Sequence, residues 1–242
     1  MRNANMNGKR ILAFGAHPDD IEFGCGALLL DAAERGAHLD LAVLSRGEAG
    51  THGDRSMREN EARDAAEMLG ADIHFPSTAG DTRIRADLDT TLLVAKMIRR
   101  LRPGLILAPS GHLNQHPDHR ETSRIVRDAH RLARYGKTPG LEDVDPHSVE
   151  ALLFYDISSE ALGTDGLTPI LVDVSSQVEK WKALMQCHSS QTSNLEYIDL
   201  QLSRARTLGI QMGIGSALRL YSEGPLLVAS SADLGSLKSP RL

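Results

Sequence analysis

Apolar and polar positions come in blocks along this chain, and the block lengths switch between those of strands and those of helices. RILAFGA, stopped by Gly15, predicts a buried strand over residues 10–15. FGCGALLLDAAERG has helical spacing and ends at Gly36, a natural residue just past a helix C-terminus. LDLAVLS predicts a strand over 39–45. The next helix, SMRENEARDAAEMLG, puts Ala62, Ala65, Ala66 and Leu69 on one face and stops at Gly70. DIHF reads as a short strand, LDTTLLVAKMIRRLRP as a helix ended by Pro103, GLILAPS as a strand, and residues 118–134 as a helix. Residues 135–148, rich in Pro, Gly and acid, read as a loop. VEALLFYDI and TPILVDVS are strands, QVEKWKALMQCHSS a helix beginning near Ser176, and NLEYIDLQLSRARTLGIQMG another helix. LRLYSEGPLLVAS closes the pattern as a strand or hairpin. No repeat, low-complexity linker or domain boundary interrupts the series. The expectation is one domain over 1–242, with 1–8 and 233–242 as frayed tails.

Strands joined by helical crossovers imply a parallel sheet with helices on both faces, here a Rossmann-like three-layer α/β sandwich with a mostly parallel sheet. Ligands of such sheets bind outside the carboxyl ends of the strands. GAHPDD, SRGEAGTHG and PSGHLNQHPDH each follow a predicted strand, so three chemically unusual loops converge on one edge.

Composition narrows the class. The 242 residues are 41% hydrophobic and 24% charged, as in ordinary soluble domains, and only 4% aromatic, so the core is mostly aliphatic. A net charge of −5 argues against non-specific nucleic-acid binding. Cys25 and Cys187 form no CxxC pair and no disulfide framework; they read as reduced, buried thiols. MRNANMNGKR has no apolar stretch of a secretory signal, and no apolar run approaches the ~20 residues of a membrane span, so no membrane partner and a cytoplasmic location are expected.

The chemistry sits in two motifs. His17 and Asp20 are three apart, so one turn can aim both at one point; His116 and His119 repeat that spacing around Asp118. Two imidazoles and a carboxylate suit a catalytic Zn²⁺ with a position left for water, and Fe²⁺ is met by the same ligand types. An all-oxygen Ca²⁺ or Mg²⁺ site fits less well. The plainer alternative is that Asp19, Asp20 and Asp118 only cap helices. Spacing slightly favours Asp20 over Asp19 as the ligand but does not decide between them.

AHPDD before a helix, followed about a hundred residues later by HPDH, resembles the LmbE/PIG-L family of zinc-dependent N-acetylglucosamine deacetylases. GEAGT, RENEARDAAEMLG, KALMQCHSSQ and YSEGP carry the likeness over most of the chain. PHSVEALLFYDI and the length look most like the bacillithiol-type branch, whose members act on N-acetylglucosaminyl malate. The resemblance implies zinc on His17, Asp20 and His119, Asp19 as general base, and His116 as acid or oxyanion stabiliser with Asp118 orienting it. It also places Arg58 near the substrate and matches His188 to a histidine that borders the pocket. The implied reaction removes acetyl from a GlcNAc-type glycoconjugate, giving acetate and an amine. The implied partners are that small molecule and further copies of the chain, as trimer or hexamer. Chitooligosaccharide, a mycothiol-type precursor or an antibiotic pseudosaccharide are alternative substrates. A non-catalytic sugar- or nucleotide-binding protein is a remoter alternative, opposed by the absence of GxGxxG after the first strand.

Other residues keep two readings. Arg58 suits a carboxylate or sugar hydroxyls, or pairs with Glu61 or Asp54 on its helix. Glu48 binds sugar hydroxyls or solvates its loop, and His188 borders the pocket or is structural. His52 and His112 lie in pocket-side loops, whereas His38, His74, His130 and His147 read as structural or exposed. Trp181 belongs to the core or a subunit interface. Substrate choice is expected of loops 76–86 and 135–148.

Overall fold

A computed structural model describes residues 5–76, 78, 80–112, 116–157, 167–193 and 196–227. Seven strands form one sheet: β1 (Arg10–Gly15), β2 (His38–Val43), β3 (Asp72–His74), β4 (Leu105–Pro109), β5 (Ala151–Tyr155), β6 (Thr168–Asp173) and β7 (Ala217–Ser222), in the order β3-β2-β1-β4-β5-β7-β6. The first five are mutually parallel. The closing segment is a strand inserted between β5 and β6 and antiparallel to both.

Seven helices complete the fold: α1 (Asp20–Glu34), α2 (Arg55–Leu69), α3 (Leu88–Leu101), α4 (Pro117–Arg134), α5 (Val178–Gln186), α6 (Ser189–Thr192) and α7 (Glu196–Met212). Alternation along the buried strands divides the core into two layers. Ile11 and Ala13 of β1 face a cluster that includes Phe23 of α1, Ala65 of α2, Trp181 of α5 and Ala205 of α7. Leu12 and Phe14 face Val94 and Ile98 of α3 with Ile125 and Ala129 of α4. This is the expected three-layer sandwich.

Local chemistry sets the helix ends. Asp54 and Asp87 cap α2 and α3 by accepting from Met57 N and Thr90 N, and Gly70 ends α2 in the left-handed region at φ 65°. Arg99 is 2% exposed and carries the loop after α4: its guanidinium donates to the carbonyls of Ala133, Tyr135, Leu141 and Val144. The expected N-terminal tail is pinned where it is described, since Met6 N donates to Arg35 O at 2.8 Å; residues 1–4 and 233–242 lie outside the described residues. Trp181 is core, donating from Nε1 to Glu22 O at 2.7 Å. Cys25 is buried as expected, but Cys187 only partly so. Among the described residues no helix is long and apolar enough to cross a membrane.

Tyr155 of β5 is fully buried: its hydroxyl reaches across the sheet to donate to Phe14 O of β1 at 2.6 Å, and its ring packs against α1 at Gly24. A Cβ on Gly24 would run into that ring. A Gly-to-Ala change inside a helix ordinarily stabilises by about 0.5–1 kcal/mol. Overpacking against an immobile ring costs about 1–3 kcal/mol, so it wins. Gly24→Ala is therefore expected to lower stability by about 1–2 kcal/mol, read from denaturant unfolding midpoints; an unchanged or raised midpoint contradicts this packing.

Candidate active site

The carboxyl ends of β1, β2, β3 and β4 bring four loops together. In the first, Asp20 begins α1 and closes the turn on itself. Its Oδ2 accepts from Ala16 N at 2.8 Å and His17 N at 2.9 Å, leaving Oδ1 to meet His119 Nε2 at 3.1 Å. Pro117 occupies the first turn of α4 and His116 its N-cap, which turns His119 inward. His17, Asp20 and His119, each at most 9% exposed, offer ligand atoms within 4.8 Å of one another.

His17 lies between carboxylates. Its Nδ1 is 3.5 Å from Asp20 Oδ2, while its Nε2 is 3.2 Å from Asp81 Oδ1 and 3.4 Å from Asp118 Oδ2. Burial opposes the charged ring, yet Asp20, Asp118 and Asp81 hold its pKa well above the usual imidazole range. Burial likewise opposes an ionised Asp20, and His119 and His17 outweigh it, holding Asp20 well below the usual carboxylate range. Asp118 is fully buried; Thr82 N donates to its Oδ2 at 2.7 Å, and its Oδ1 has no hydrogen-bond partner. Four carboxylates (Asp19, Asp20, Asp81 and Asp118) crowd this spot. Together with the N/O donor set and the orphaned oxygen, they make a site fitted to a divalent cation. A second His/Asp group, His38, Asp40 and Asp72 at the other end of β2 and β3, differs because a cation is already seated there. Arg10 Nη1 is 2.6 Å from Asp40 Oδ2.

Asp19 is adjacent to these groups but separately held. Its backbone is at φ 108°, strained for a residue with a side chain. Arg58 secures it: Nη2 donates to Pro18 O at 2.8 Å and to Asp19 Oδ2 at 3.3 Å, and Nη1 donates to Gly47 O at 3.0 Å. Burial and the Asp20 charge push the Asp19 carboxyl up to about 6, against the pull of Arg58, His188 and His17. His116 is exposed, with its ring 4.8 Å from that of His17 and edge-on to it. Its Nδ1 accepts from Asp118 N at 3.2 Å, so a neutral ring carries its proton on Nε2. Burial, then His17 and His119, lower its pKa, favouring that neutral form.

The remaining candidates are distributed around this centre. Arg58 is 5% exposed and pairs with neither Glu61 nor Asp54. Glu61 instead binds Ser189 Oγ and Ser190 N and Oγ in α6. Glu48 is exposed at the rim, accepting from Arg46 N and Asp81 N. His188 is fully buried, with Nε2 3.2 Å from Glu22 Oε2, an ion pair rather than an aligned hydrogen bond. The contact of Asp118 with His116 runs through its backbone N–H, and its carboxylate is turned to His17 and Thr82. His112 packs edge-on against Tyr221 at 5.6 Å, and His52 is exposed. Sequence reasoning missed Asp81. The available signal was its loop: β3 is parallel to β2, so the segment after it reaches the same edge.

Residues 12–130 match the PIG-L family, described as GlcNAc-PI de-N-acetylase. The chain is 27% identical to a diacetylchitobiose deacetylase of Thermococcus kodakarensis, over 89% of this chain and 82% of that one. It is 29% identical to a 4-oxalmesaconate hydratase of Pseudomonas putida, over 92% and 90%. Among solved structures, the conserved protein TT1542 from Thermus thermophilus superposes with a TM-score of 0.79 at 30% identity, covering 90% of this chain and 96% of that one.

An acceptor on His17 Nε2 fixes the ring's tautomer and orientation, and losing such a partner typically costs ~10–100-fold in metal affinity. Asp81→Asn should weaken Zn²⁺ binding by that factor while leaving the far-ultraviolet circular dichroism unchanged. Chelator competition measures it, and wild-type affinity in the variant would remove Asp81 from this role.

Proposed function

Taking as premise that this chain belongs to the PIG-L family, we propose that it is a metal-dependent hydrolase that removes the N-acetyl group from a GlcNAc-type glycoconjugate. The observation that carries the reading is Asp19: a buried carboxylate beside the His17–Asp20–His119 cluster, held by Arg58 and outside the cluster itself.

Zn²⁺ or Fe²⁺ on His17, Asp20 and His119 would acidify a water towards a pKa of ~7 and polarise the amide carbonyl. Asp19 takes the proton of the attacking water; with its pKa near 6 it is ionised at neutral pH yet basic enough to accept. His116 presents an Nε2–H to the carbonyl oxygen as charge grows there, and the proton taken up by Asp19 passes to the departing amine. Asp118 and Asp81 hold His17. Arg58 serves the reaction by fixing Asp19 and the Pro18 and Gly47 carbonyls rather than by reaching out to substrate. Glu48 stands at the exposed rim, open to sugar hydroxyls. His188 acts behind the site through Glu22.

Addition of water to a carboxylated alkene is a second reading. It is favoured by the hydratase relative, whose coverage is as full as that of the deacetylase. Both chemistries need an activated water and a base. Only the hydrolase releases acetate.

The test is acetate release from diacetylchitobiose, GlcNAc-inositol and GlcNAc-malate, with and without a chelator. Activity is expected on at least one and is expected to vanish on chelation. Activity that survives chelation rules out the metal mechanism, and acetate from none alongside hydration of 4-oxalmesaconate transfers the site to the second reading. Asp19→Ala should retain the metal and lose at least ~10²–10⁴-fold in kcat. A metal-free variant would instead make Asp19 a ligand.

A further inference from the structure

A cavity of about 320 Å³ opens between α7, β7 and α1, lined by Gly24, Asp156, Gln201, Arg204, Leu208 and Arg219 among others. It lies beside the candidate active site. Tyr197, at the start of α7, stacks on Phe23 of α1 at 4.8 Å, and Phe23 is in the first turn after Asp20. Burial, with Asp19 and Asp20, raises the Tyr197 pKa, and Arg204 opposes it. Arg204 is seven residues further along α7, about 10 Å at 1.5 Å per residue. On the opposite wall, Asp156 follows β5 and is 2.5 Å from Ser110 Oγ, in the loop that leads to His116.

The charges in this cavity are unbalanced. Arg204 Nη1 donates to Ile157 O at 2.9 Å and Gln201 Oε1 at 3.0 Å, and Arg219 Nη1 approaches Tyr221 Oη at 3.4 Å. Neither guanidinium is ion-paired with a carboxylate among the described residues. Burial lowers the Arg204 pKa even with Asp156 nearby. Two half-buried guanidiniums thus face one carboxylate, Asp156, which is within ion-pair distance of neither, and burying charge that is incompletely paired is costly. A guanidinium fork matches a planar carboxylate. Asp156 on the wall selects against a doubly charged phosphate, and Leu208 with Gly24 leaves an apolar side for a short carbon chain.

We propose that this cavity is a second subsite, which binds a carboxylate carried by the part of the substrate beyond its acetamido sugar. The inference rests on the deacetylase reading for its link to turnover and on the cavity alone for its ligand.

Two measurements separate these. In steady-state kinetics, Arg204→Gln and Arg219→Gln are expected to raise KM for GlcNAc-malate by ~10–100-fold, the usual effect of losing a hydrogen bond to a charged group. The same variants should leave kcat, and both constants for neutral GlcNAc-inositol and diacetylchitobiose, unchanged. Equal losses on acidic and neutral substrates, or no change on either, overturn the subsite. If the wild type releases acetate from none of the three, the deacetylase reading fails, and calorimetric titration with succinate tests the cavity independently. Binding that weakens in both variants, and less in Arg204→Lys, supports the site. Absent binding, or binding unaffected by these changes, overturns it. Should the Gln variants misfold by circular dichroism, Arg204→Lys carries the same comparison.

Discussion

The site depends on one electrostatic constraint: Asp20, Asp81 and Asp118 are packed around a single imidazole, that of His17, with Asp19 beside them on Arg58. Water cannot screen these charges, because the ring and its three nearest carboxylates are nearly or fully buried. The chain answers in separate ways. Backbone N–H groups of the β1–α1 turn hold Asp20, Thr82 N holds Asp118, Ala49 N holds Asp81, and Arg58 faces Asp19. These partners fix positions but leave net negative charge, which a divalent cation would remove. The same arrangement divides labour between adjacent residues: Asp20 has its second oxygen on His119, while Asp19 is turned away by its unusual φ and kept basic by its neighbour's charge. On the proposed reading, strain at Asp19 is tied to the separation of ligand from base, and the Arg58 contacts with Pro18 and Gly47 are what oppose its relaxation.

Much of this was legible. Buried strands from short apolar runs, helices ended by Gly36 and Gly70, and loops after successive parallel strands follow from spacing and turn chemistry alone. His17 with Asp20, and His116 with His119, each three apart on two such loops, point to a cation site. What was not legible depends on partners far away in the chain. Arg58 on a charge-rich helix reads as an i, i+3 or i, i+4 ion pair, yet its partners are main-chain carbonyls and a carboxylate from other loops. Asp81 carries no motif, and only the register of β3 on β2 brings it to His17. The loop after α4 looks unstructured by composition, but a buried Arg99 organises it through carbonyls that composition does not encode. His188, credible as a pocket residue from its segment, is sealed behind Glu22 by the packing of α5 on α1.

The division of the chain also bears on how one framework serves different reactions. The family match covers residues 12–130, which hold the two motifs, Arg58, Glu48 and Asp81. The residues proposed to activate water and to act as its base therefore all lie within that segment. The wall formed by Gln201, Arg204, Leu208 and Arg219 comes from the last third of the chain, which the match does not cover, and its shape requires β7 to enter the sheet against the direction of β5. Reversal of that strand places Arg219 across from the residue after β5, so that α7 and β7 enclose a space beside the parallel strand ends instead of extending them. A deacetylase and a hydratase can both be relatives on this basis. On the proposed reading an activated water serves either reaction, and the wall sets which bond is presented to it. The physical question of specificity thus moves from the metal ligands, where the sequence is most recognisable, to the charges along α7 and β7, where it is least.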